Sequence, residues 1–529
     1  MQNLKSILYK KKEMFYVIIL FLFSVSINQY YGNLGVCPID SFFSFNSGYD
    51  ILNGYFPFKD YWTIAGPFIA LSQALFFKLF GVSWFSYVMH ASFFNFILAI
   101  LTFYTLHKFK LSIHYCFLYS LLVSILTYPS AGTPYVDHHS SILSIISIYI
   151  FVLALKTNSK IYWFILPIVL VVSFLTKQAP TGYIFLIIAG LSTFYFVFNF
   201  NIKKILLGLF GSITIISIFL MLLSLGEISI LSFFQQYILF PISFGKVRYE
   251  YFLFPLEFSR IFLRYKLIHL SSLLLVLVAL INIKNNFRYL KNNEFLIILS
   301  LLGSSYALIA HQLMTINGIF IYFIIPILTG FSHIYYLKYF KDKKSILYLL
   351  LFLSISSTLY YGYKYVHKRD FMDLRKVNME EARDAEILDS KLKGLKWKSC
   401  LFYADDTKKE IDQLAEVIAL IKNDDRNKSI ITDYQFISVI LSLYDFAPSQ
   451  VWADHHQNPS KESIYYDIYR SFFIEKFKEN NVQVVYLIKP LWGGNNIIEN
   501  VFDTRCYKKN KISEMLDMYT LLPCEDLKI

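Results

Sequence analysis

Carboxylates in an aromatic setting mark the segment from residue 30 to residue 80. Asp40, Asp50 and Asp60 lie there beside Trp62, and much of the remaining segment is Phe, Tyr, Gly and Pro. An aromatic environment desolvates a carboxylate, which can then serve as a general base that takes a proton from an acceptor hydroxyl or amine. Asp40 and Asp60 are the strongest candidates for this chemistry, and Trp62 is a further candidate site residue. The ordinary alternative for a loop aspartate is that it caps a helix or begins a turn.

Asp137, His138 and His139 form a second group, immediately before an apolar run. Ionisable residues so close to the hydrocarbon core of a membrane cost free energy and are therefore commonly functional or interfacial. Asp137 is a candidate catalytic carboxylate, and the alternative is that it caps the helix that begins near Ser140. Adjacent histidines diverge on a helix and cannot share a metal ion, but His138 alone can join Asp137 in binding a divalent metal. No nucleotide-binding loop is present, so a divalent metal is the only cofactor considered.

Cations that could meet a phosphate group lie between the later apolar runs. The candidates in this class are Lys177, Arg248, Arg260 and Arg264. The guanidinium donors form a fork that matches phosphate geometry, so these residues are candidate ligands for a lipid-linked phosphate. The alternatives are a lysine that extends toward water and arginines that contact anionic head groups from a surface helix. His311, at the end of a later run, is a further candidate site residue or an ordinary interfacial histidine.

The elements that carry these residues are those of an integral membrane protein. Of the 529 residues, 56% are hydrophobic and only 16% are charged, and a soluble domain cannot bury so much apolar surface. The formal charge of +13 comes from lysines and arginines in the loops, so membrane lipids, and not nucleic acid, are the expected partners. The predicted spans are approximately residues 14–30, 84–106, 115–128, 141–155, 161–176, 183–199, 204–225, 267–283, 295–312, 318–337 and 345–361. Several fall short of the roughly 20 residues that a span needs, so they must tilt or include interfacial residues.

The basic residues predict the orientation of these eleven spans. Lysine- and arginine-rich connections fall at every second loop and share a side with the N-terminal lysines, which the positive-inside rule places in the cytoplasm. The alternation holds only if residues 67–80 form an interfacial helix within the first outer loop, 31–83, instead of crossing the membrane. Residues 363–529 then lie outside the cytoplasm, and the best placement is the periplasmic face of a bacterial inner membrane.

The sequence pattern of residues 363–529 predicts a small extracytoplasmic α/β domain, which follows the transmembrane domain of residues 1–362. Residues 380–397 and 408–423 read as amphipathic helices, whereas 428–433 and 482–489 read as short buried strands. The cysteines of this part allow one disulfide in an oxidising compartment; they are Cys400, Cys506 and Cys524.

The first outer loop contains a motif that resembles the C-type glycosyltransferase superfamily. The likeness is to the branch of protein O-mannosyltransferases and of the bacterial transferases that add aminoarabinose to lipid A, in which G-x-PYxDFW-x-x-GP is common after the first span. The corresponding residues here are Gly54, Phe56-Pro57-Phe58-Lys59-Asp60-Tyr61-Trp62 and Gly66-Pro67. Asp40 upstream, the Asp137 loop, the FLTKQ sequence and the basic middle segment extend the likeness over residues 15 to about 340.

The resemblance implies an enzyme that transfers a sugar, with inversion, from a polyprenyl-phosphate donor to a lipid, glycan or protein acceptor on the outer face of the membrane. It implies that the catalytic aspartate is Asp40 and that the second acidic loop residue is Asp137. The sequence Asp-His-His departs from the commoner Asp-Glu pair of the family, so the resemblance assigns neither a metal nor a second acid. It also implies that a nucleotide sugar is not used directly.

Other classes of membrane protein remain as alternatives. A lipid or sugar transporter would carry ionisable groups near the middle of the membrane, whereas here the polar residues gather at one surface. A glycan polymerase would also have an arginine-rich outer loop, usually placed late in the chain. An inactive relative that serves as a scaffold is the third alternative, and the presence of Asp40 and Asp60 argues against it.

Overall fold

The chain is a helical bundle with a small α/β tail. The computed structural model describes residues 2–243, 258–315, 320–367, 378–399, 406–444, 447, 458–491, 496–524 and 527, with side chains described for all of these except 2–10 and 39. Within this part of the chain, eight helices are long and apolar enough to cross a membrane. They are α1 (Gln2–Gly32), α5 (Trp84–Lys108), α7 (Val136–Thr157), α9 (Gln178–Phe198), α10 (Ile202–Leu225), α12 (Lys266–Asn285), α13 (Asn293–Thr315) and α15 (Lys344–Val366). A multi-pass membrane protein, as predicted, is therefore confirmed.

Three further helices coincide with predicted spans but are shorter. They are α6 (Ile113–Thr127), α8 (Ile161–Phe174) and α14 (Ile324–Tyr339), of 15, 14 and 16 residues. At 1.5 Å per residue such helices fall short of the roughly 30 Å thickness of a hydrocarbon core. Every predicted apolar run therefore contains a helix, while eight of the described helices meet the length and hydropathy expected of a span.

The segment 31–83 folds over one end of the bundle, which we call the loop end. It contains α2 (Pro38–Ser41), α3 (Phe45–Leu52) and α4 (Pro67–Phe80). Pro67 begins α4 directly after Gly66, a position where its fixed φ and missing N–H are compatible with a helix start. A side chain at Gly66 would collide with the carbonyl of Leu175 at the end of α8, and the Phe68 N–H donates to that carbonyl at 3.1 Å.

The carboxyl end of α4 also lies at the loop end of the bundle. After α4, the indole N–H of Trp84 donates to the side-chain oxygen of Asn33 at 3.0 Å, one residue beyond the end of α1. Both ends of α4 therefore lie at the loop end of the bundle. After α10, the short helix α11 (Ile230–Phe233) continues into a π-helix, Phe234–Leu239. Residues 230–243 pack beneath the first loop. A second π-helix, Ser259–Leu263, precedes α12.

The tail is built on a four-stranded mixed sheet. Its strands are β3 (Lys428–Thr432), β4 (Val484–Ile488), β5 (Tyr507–Lys511) and β6 (Leu516–Leu521), in the order β3-β4-β6-β5, and only β3 and β4 are parallel. The helices of the tail are α16 (Thr407–Lys422), α17 (Ile437–Leu441), α18 (Tyr466–Glu479) and α19 (Ile497–Val501). A disulfide joins Cys506 to Cys524, whereas Cys400 lies outside the described residues.

The predicted helix over residues 380–397 is wrong. This stretch instead forms 3-10 turns and a two-residue antiparallel pair, β1 (Arg383–Asp384) with β2 (Lys396–Trp397). Asp389 accepts a hydrogen bond from the Lys391 N–H at 2.8 Å, and Gly394 has a φ of +96°, so local side-chain and backbone geometry both break a helix here.

The first loop and the tail share one hydrophobic core. The N–H groups of Gly35 and Val36 donate to the carbonyls of Lys396 and Lys398, each at 3.0 Å. Phe42 is fully buried and packs against the aromatic rings of Trp397 and Phe436 in the tail. The backbone pairing and the shared core therefore fix the loop that carries Asp40 to the tail as well as to the bundle.

Candidate functional site

Asp137 lies in the first turn of α7, where it makes a buried ion-pair cluster. Its Oδ2 accepts a hydrogen bond from the Lys177 ammonium at 2.6 Å, and its Oδ1 accepts one from the His311 Nε2 at 2.7 Å. The side chain of Asp137 is 1% exposed and that of Lys177 is 26% exposed. A buried carboxylate is tolerable only when it is paired and hydrogen-bonded, and here each of its oxygens has a partner.

Three separate elements bring this cluster together. Lys177 lies between α8 and α9 with an extended backbone, and His311 is in the last turns of α13. The amino-terminal end of α7 adds the positive end of a helix dipole, which favours the negative charge of Asp137. Asp137 therefore orients both partners, and Lys177 is the most exposed member of the cluster.

Asp40 lies nearby, on the short helix α2 of the first loop. Pro38 begins this helix, and the Asp40 N–H donates to the Cys37 carbonyl at 2.9 Å. Asp40 is half-buried, so part of the residue remains accessible. Its carboxylate accepts a hydrogen bond from the hydroxyl of Tyr135.

Tyr135 connects the two carboxylates. It directly precedes α7, its ring is buried, and both Asp40 and Asp137 act on its hydroxyl electrostatically. Burial first, and then the two negative charges, raise the pKa of Tyr135 well above its ordinary value, so Tyr135 is a neutral hydrogen-bond donor. Tyr135 was not among the residues predicted from the sequence, although it stands only two residues before Asp137.

Aromatic rings form the wall beside Tyr135. The ring of Phe320 lies 5.4 Å from that of Tyr135 and 4.4 Å from that of His138, and Tyr128 lies 4.8 Å from His138. The Nε2 of His138 is 3.4 Å from the Ser130 hydroxyl, and its Nδ1 has no hydrogen-bond partner within the described part of the chain. His138 therefore lines the aromatic wall and does not contact the Asp137 carboxylate through any described hydrogen bond.

The arginines of the middle segment lie at the beginning of α12. Arg260 and Arg264 are exposed, and Arg264 hydrogen-bonds the hydroxyl of Tyr322, two residues after Phe320. Tyr322 stacks on Tyr361 of α15 with ring centroids 3.7 Å apart. Arg264 therefore stands at the same end of the bundle as the Asp137 cluster, whereas Arg248 lies outside the described residues.

Asp60 and Trp62 occupy a different place. The Oδ2 of Asp60 accepts a hydrogen bond from the Phe56 N–H at 2.7 Å, which closes the turn of the motif, and burial raises the pKa of Asp60. Trp62 is buried against Phe240 and Tyr469, at 5.9 and 5.3 Å between ring centroids. These contacts join the first loop to the tail and to residues 230–243, and no described contact connects them with Asp137.

A divalent-metal site at Asp137 and His138 is the remaining hypothesis from the sequence. In the part of the chain that the structure describes, no group of three or more His, Cys, Asp or Glu side chains is arranged to hold a metal ion. Asp137, the predicted ligand, has Lys177 and His311 as its partners. A cation bound beside Asp137 would have to compete with the Lys177 ammonium.

The gathered residues have the parts of a group-transfer site. Asp40 offers a carboxylate on a half-buried residue, Tyr135 hydrogen-bonds it, and Lys177 presents a positive charge that Asp137 holds in place. No model of a known protein family matches the sequence, and no curated protein sequence matches it. The side chains at the loop end must therefore carry any functional conclusion.

Proposed function

We propose that this protein is a membrane glycosyltransferase that moves a sugar from a polyprenyl-phosphate carrier to a hydroxyl or amine acceptor. The observation that carries the proposal is the presence of a half-buried carboxylate, Asp40, and an anchored lysine, Lys177, where a helix bundle meets a folded loop. Asp40 and Lys177 come from distant parts of the chain, and Tyr135 and Asp137 connect them. A base beside a cation suits a reaction in which an acceptor loses a proton while a phosphate gains negative charge.

The reaction proceeds in one displacement. The acceptor oxygen or nitrogen attacks the anomeric carbon and transfers its proton to the Asp40 carboxylate, while the bond between the anomeric carbon and the phosphate oxygen breaks. Attack from the side opposite the phosphate inverts the configuration at the anomeric carbon. The polyprenyl phosphate departs as an anion, so no general acid is required. Lys177 stabilises the phosphate charge as it grows, because a fixed cation in a partly desolvated site is effective there.

Arg264 and Arg260 serve as a second source of positive charge for the donor. Arg264 interacts with the Tyr322 hydroxyl, and its fork of donors is suited to a phosphate. The side chains of the aromatic wall, Tyr135, His138 and Phe320, are buried, and their contacts link the segment of Tyr322 to the start of α7. The lipid tail of the donor remains in the membrane beside the bundle.

The orientation of the protein follows from the same proposal. The loop end faces the periplasm of a bacterial inner membrane, the N-terminus lies in the cytoplasm, and eleven helices cross with α4 resting on the periplasmic surface. The disulfide between Cys506 and Cys524 supports this placement, since disulfides persist in oxidising compartments. Alkaline phosphatase fused after Ile529 should be active, and an inactive fusion would reverse the orientation.

A transporter is the competing reading. Transport sites usually place ionisable groups at the middle of the membrane between helices. The Asp137 cluster instead lies at the first turn of α7, the start of α9 and the last turns of α13. This terminal position favours an enzyme that works at the membrane surface.

The decisive experiment is transfer by the purified protein from a panel of radiolabelled polyprenyl-phosphate sugars into a crude membrane extract. Wild type should form a labelled product, and Asp40→Asn should lose activity by about 10²–10⁴-fold, the usual contribution of a general base. The matched control is Asp384→Asn, because Asp384 is exposed in the tail and pairs only with Lys396 among the ion pairs described. Unchanged turnover in Asp40→Asn would remove Asp40 from the mechanism, and no transfer from any donor by the wild type would remove the glycosyltransferase proposal.

A further inference from the structure

An apolar edge of the tail is exposed where α18 begins. The side chain of Ile464 is 83% exposed, and Ile468, four residues later, is 39% exposed. Ile464 lies in the turn that precedes α18, and Ile468 lies in the first turn of the helix, so both isoleucines are exposed where the helix begins. A large isoleucine that is almost completely exposed at the surface of a folded domain indicates an interaction site when it continues a larger apolar surface.

Ring contacts place the beginning of α18 against residues 230–243. Tyr465, next to Ile464, lies 5.9 Å from Phe240, and Tyr469 lies 5.3 Å from Trp62, which itself lies 5.9 Å from Phe240. Trp62 and Phe240 are buried between the tail and the bundle. The beginning of α18 is therefore the part of the tail that approaches the 230–243 segment.

The depth of the 230–243 segment is set by a membrane-spanning helix. Gln178, the first residue of α9, donates from its side chain to the Tyr237 carbonyl at 2.6 Å. The Tyr237 hydroxyl in turn donates to the Phe174 carbonyl at the end of α8. These bonds hold residues 230–243 at the level where α8 ends and α9 begins.

The opposite face of this segment is apolar and exposed. Ile230, Leu231 and Ile242 project away from the protein, with Ile242 65% exposed, and Leu225 at the end of α10 is similarly open. A span such as α10 presents such side chains to lipid, and a segment that continues its apolar surface at the same end meets the edge of the same leaflet. Ile464 and Ile468 extend that surface onto the tail.

We propose that the tail docks on the lipid bilayer, with Ile464 and Ile468 inserted into the leaflet at the loop end beside residues 230–243. The flanking residues suit this position, because Tyr465 and Tyr466 have the amphipathic rings that favour the membrane interface and Lys461 is exposed three residues before Ile464. The partner is the phospholipid surface itself. The proposal does not depend on the chemistry of the Asp40 site.

The test measures lipid contact at single positions in the full-length protein reconstituted into phosphatidylcholine–phosphatidylglycerol vesicles. Ile464→Cys and Ile468→Cys are labelled in turn with an environment-sensitive fluorophore, in a chain carrying Cys400→Ser; Cys37 and Cys116 are buried, and the remaining cysteines are joined. Quenching is measured with lipids that carry a nitroxide at a shallow acyl carbon and, separately, with iodide in water. Circular dichroism checks that each variant is folded.

The control position is Asn423→Cys at the opposite end of the tail. Asn423 is exposed and follows α16, near the amino end of β3, where the Lys428 ammonium donates to the Ile421 carbonyl at 2.9 Å. Because α18 leads into β4, which is parallel to β3, the beginning of α18 lies at the other end of these strands. A fluorophore at Asn423 should therefore remain in water.

The proposal predicts that nitroxide lipids remove most of the emission at 464 and 468 and little at 423, with the emission at 464 shifted to the blue. Strong iodide quenching at all three positions without lipid quenching would show that the tail stands clear of the membrane and would overturn the proposal. Protection of 464 from both quenchers would overturn it as well, because a protein partner or a second copy of the chain would then cover the edge.

Discussion

Replacing Asp137 by asparagine should destabilise the fold by about 3 kcal/mol. The carboxylate is 1% exposed and hydrogen-bonds both Lys177 and His311, and removing one member of a buried ion pair typically costs about 3–5 kcal/mol. The side-chain oxygen of asparagine can still accept the His311 hydrogen bond, and Lys177, at 26% exposure, recovers part of its hydration. Both effects place the expected loss at the lower end of this range.

The measurement is unfolding by a denaturing detergent in lipid micelles, with Asp342→Asn as the control. Asp342 is exposed in the connection before α15, so its replacement should change the free energy of unfolding by less than about 0.5 kcal/mol. Lys177→Met in the Asp137→Asn background should restore part of the lost stability, because it removes the unpaired ammonium. An Asp137→Asn loss as small as that of Asp342→Asn, or a double variant whose losses simply add, would refute the ion-pair reasoning.

Three other outcomes follow from the described contacts. Tyr135→Phe removes a hydrogen bond to a charged group, which is worth about 1.5–3 kcal/mol. The kcat of the proposed transfer should therefore fall by roughly ten- to a hundredfold. An unchanged kcat would exclude Tyr135 as the residue that positions Asp40. Phe42→Ala should cost about 3–5 kcal/mol of stability and expose the first loop to protease, whereas Phe80→Ala, at an exposed position, should do neither. Burial raises the pKa of Glu410, so the native state binds the Glu410 proton more tightly than the unfolded state does. The free energy of unfolding therefore falls as the pH rises above the unfolded pKa of about 4.5. Relative to Glu410→Gln, the wild-type melting temperature should therefore decrease between pH 5 and pH 7, and a constant difference would contradict this reasoning.

Local pattern was enough to predict most elements of the fold. The helix predicted over residues 408–423 corresponds to α16, and the predicted strands 428–433 and 482–489 contain β3 and β4. Each has an apolar periodicity that a packed element requires. The membrane helices were predictable for the same reason, since uninterrupted apolar runs have few other stable structures.

Residues 380–397 show where local pattern fails. Their apolar residues are spaced as in an amphipathic helix, but Lys396 donates its N–H to the carbonyl of Asn33 at 2.9 Å, and Trp397 packs near Phe42 in the shared core. These partners lie more than three hundred residues away in the chain. Pairing with the first loop supplies hydrogen bonds and burial that an isolated helix cannot offer, so tertiary contacts override propensity.

The components of the site could be selected from the sequence, but their arrangement could not. Asp137, Lys177 and His311 each stood out as ionisable groups at the end of an apolar run, yet the partners of Asp137 are 40 and 174 residues away. Tyr135 carried no comparable signal, because the chain has 41 tyrosines and only contact with Asp40 distinguishes this one. Asp60 and Trp62 were singled out for their motif, and their described contacts are those of a packed turn.

The position of Asp40 depends on all three parts of the molecule. The bundle contributes Tyr135 from the start of α7, the first loop contributes the turn at Cys37 and Pro38, and the tail binds the neighbouring backbone of Gly35 and Val36. Loops are usually the least stable parts of a fold, whereas a general base must be held within a few tenths of an ångström of a productive position. Backbone pairing with the tail on one side and a hydrogen bond to a membrane helix on the other reconcile these demands. A displacement of the tail would therefore move Asp40 relative to Lys177 without any change in the side chains to which we assign the proposed chemistry.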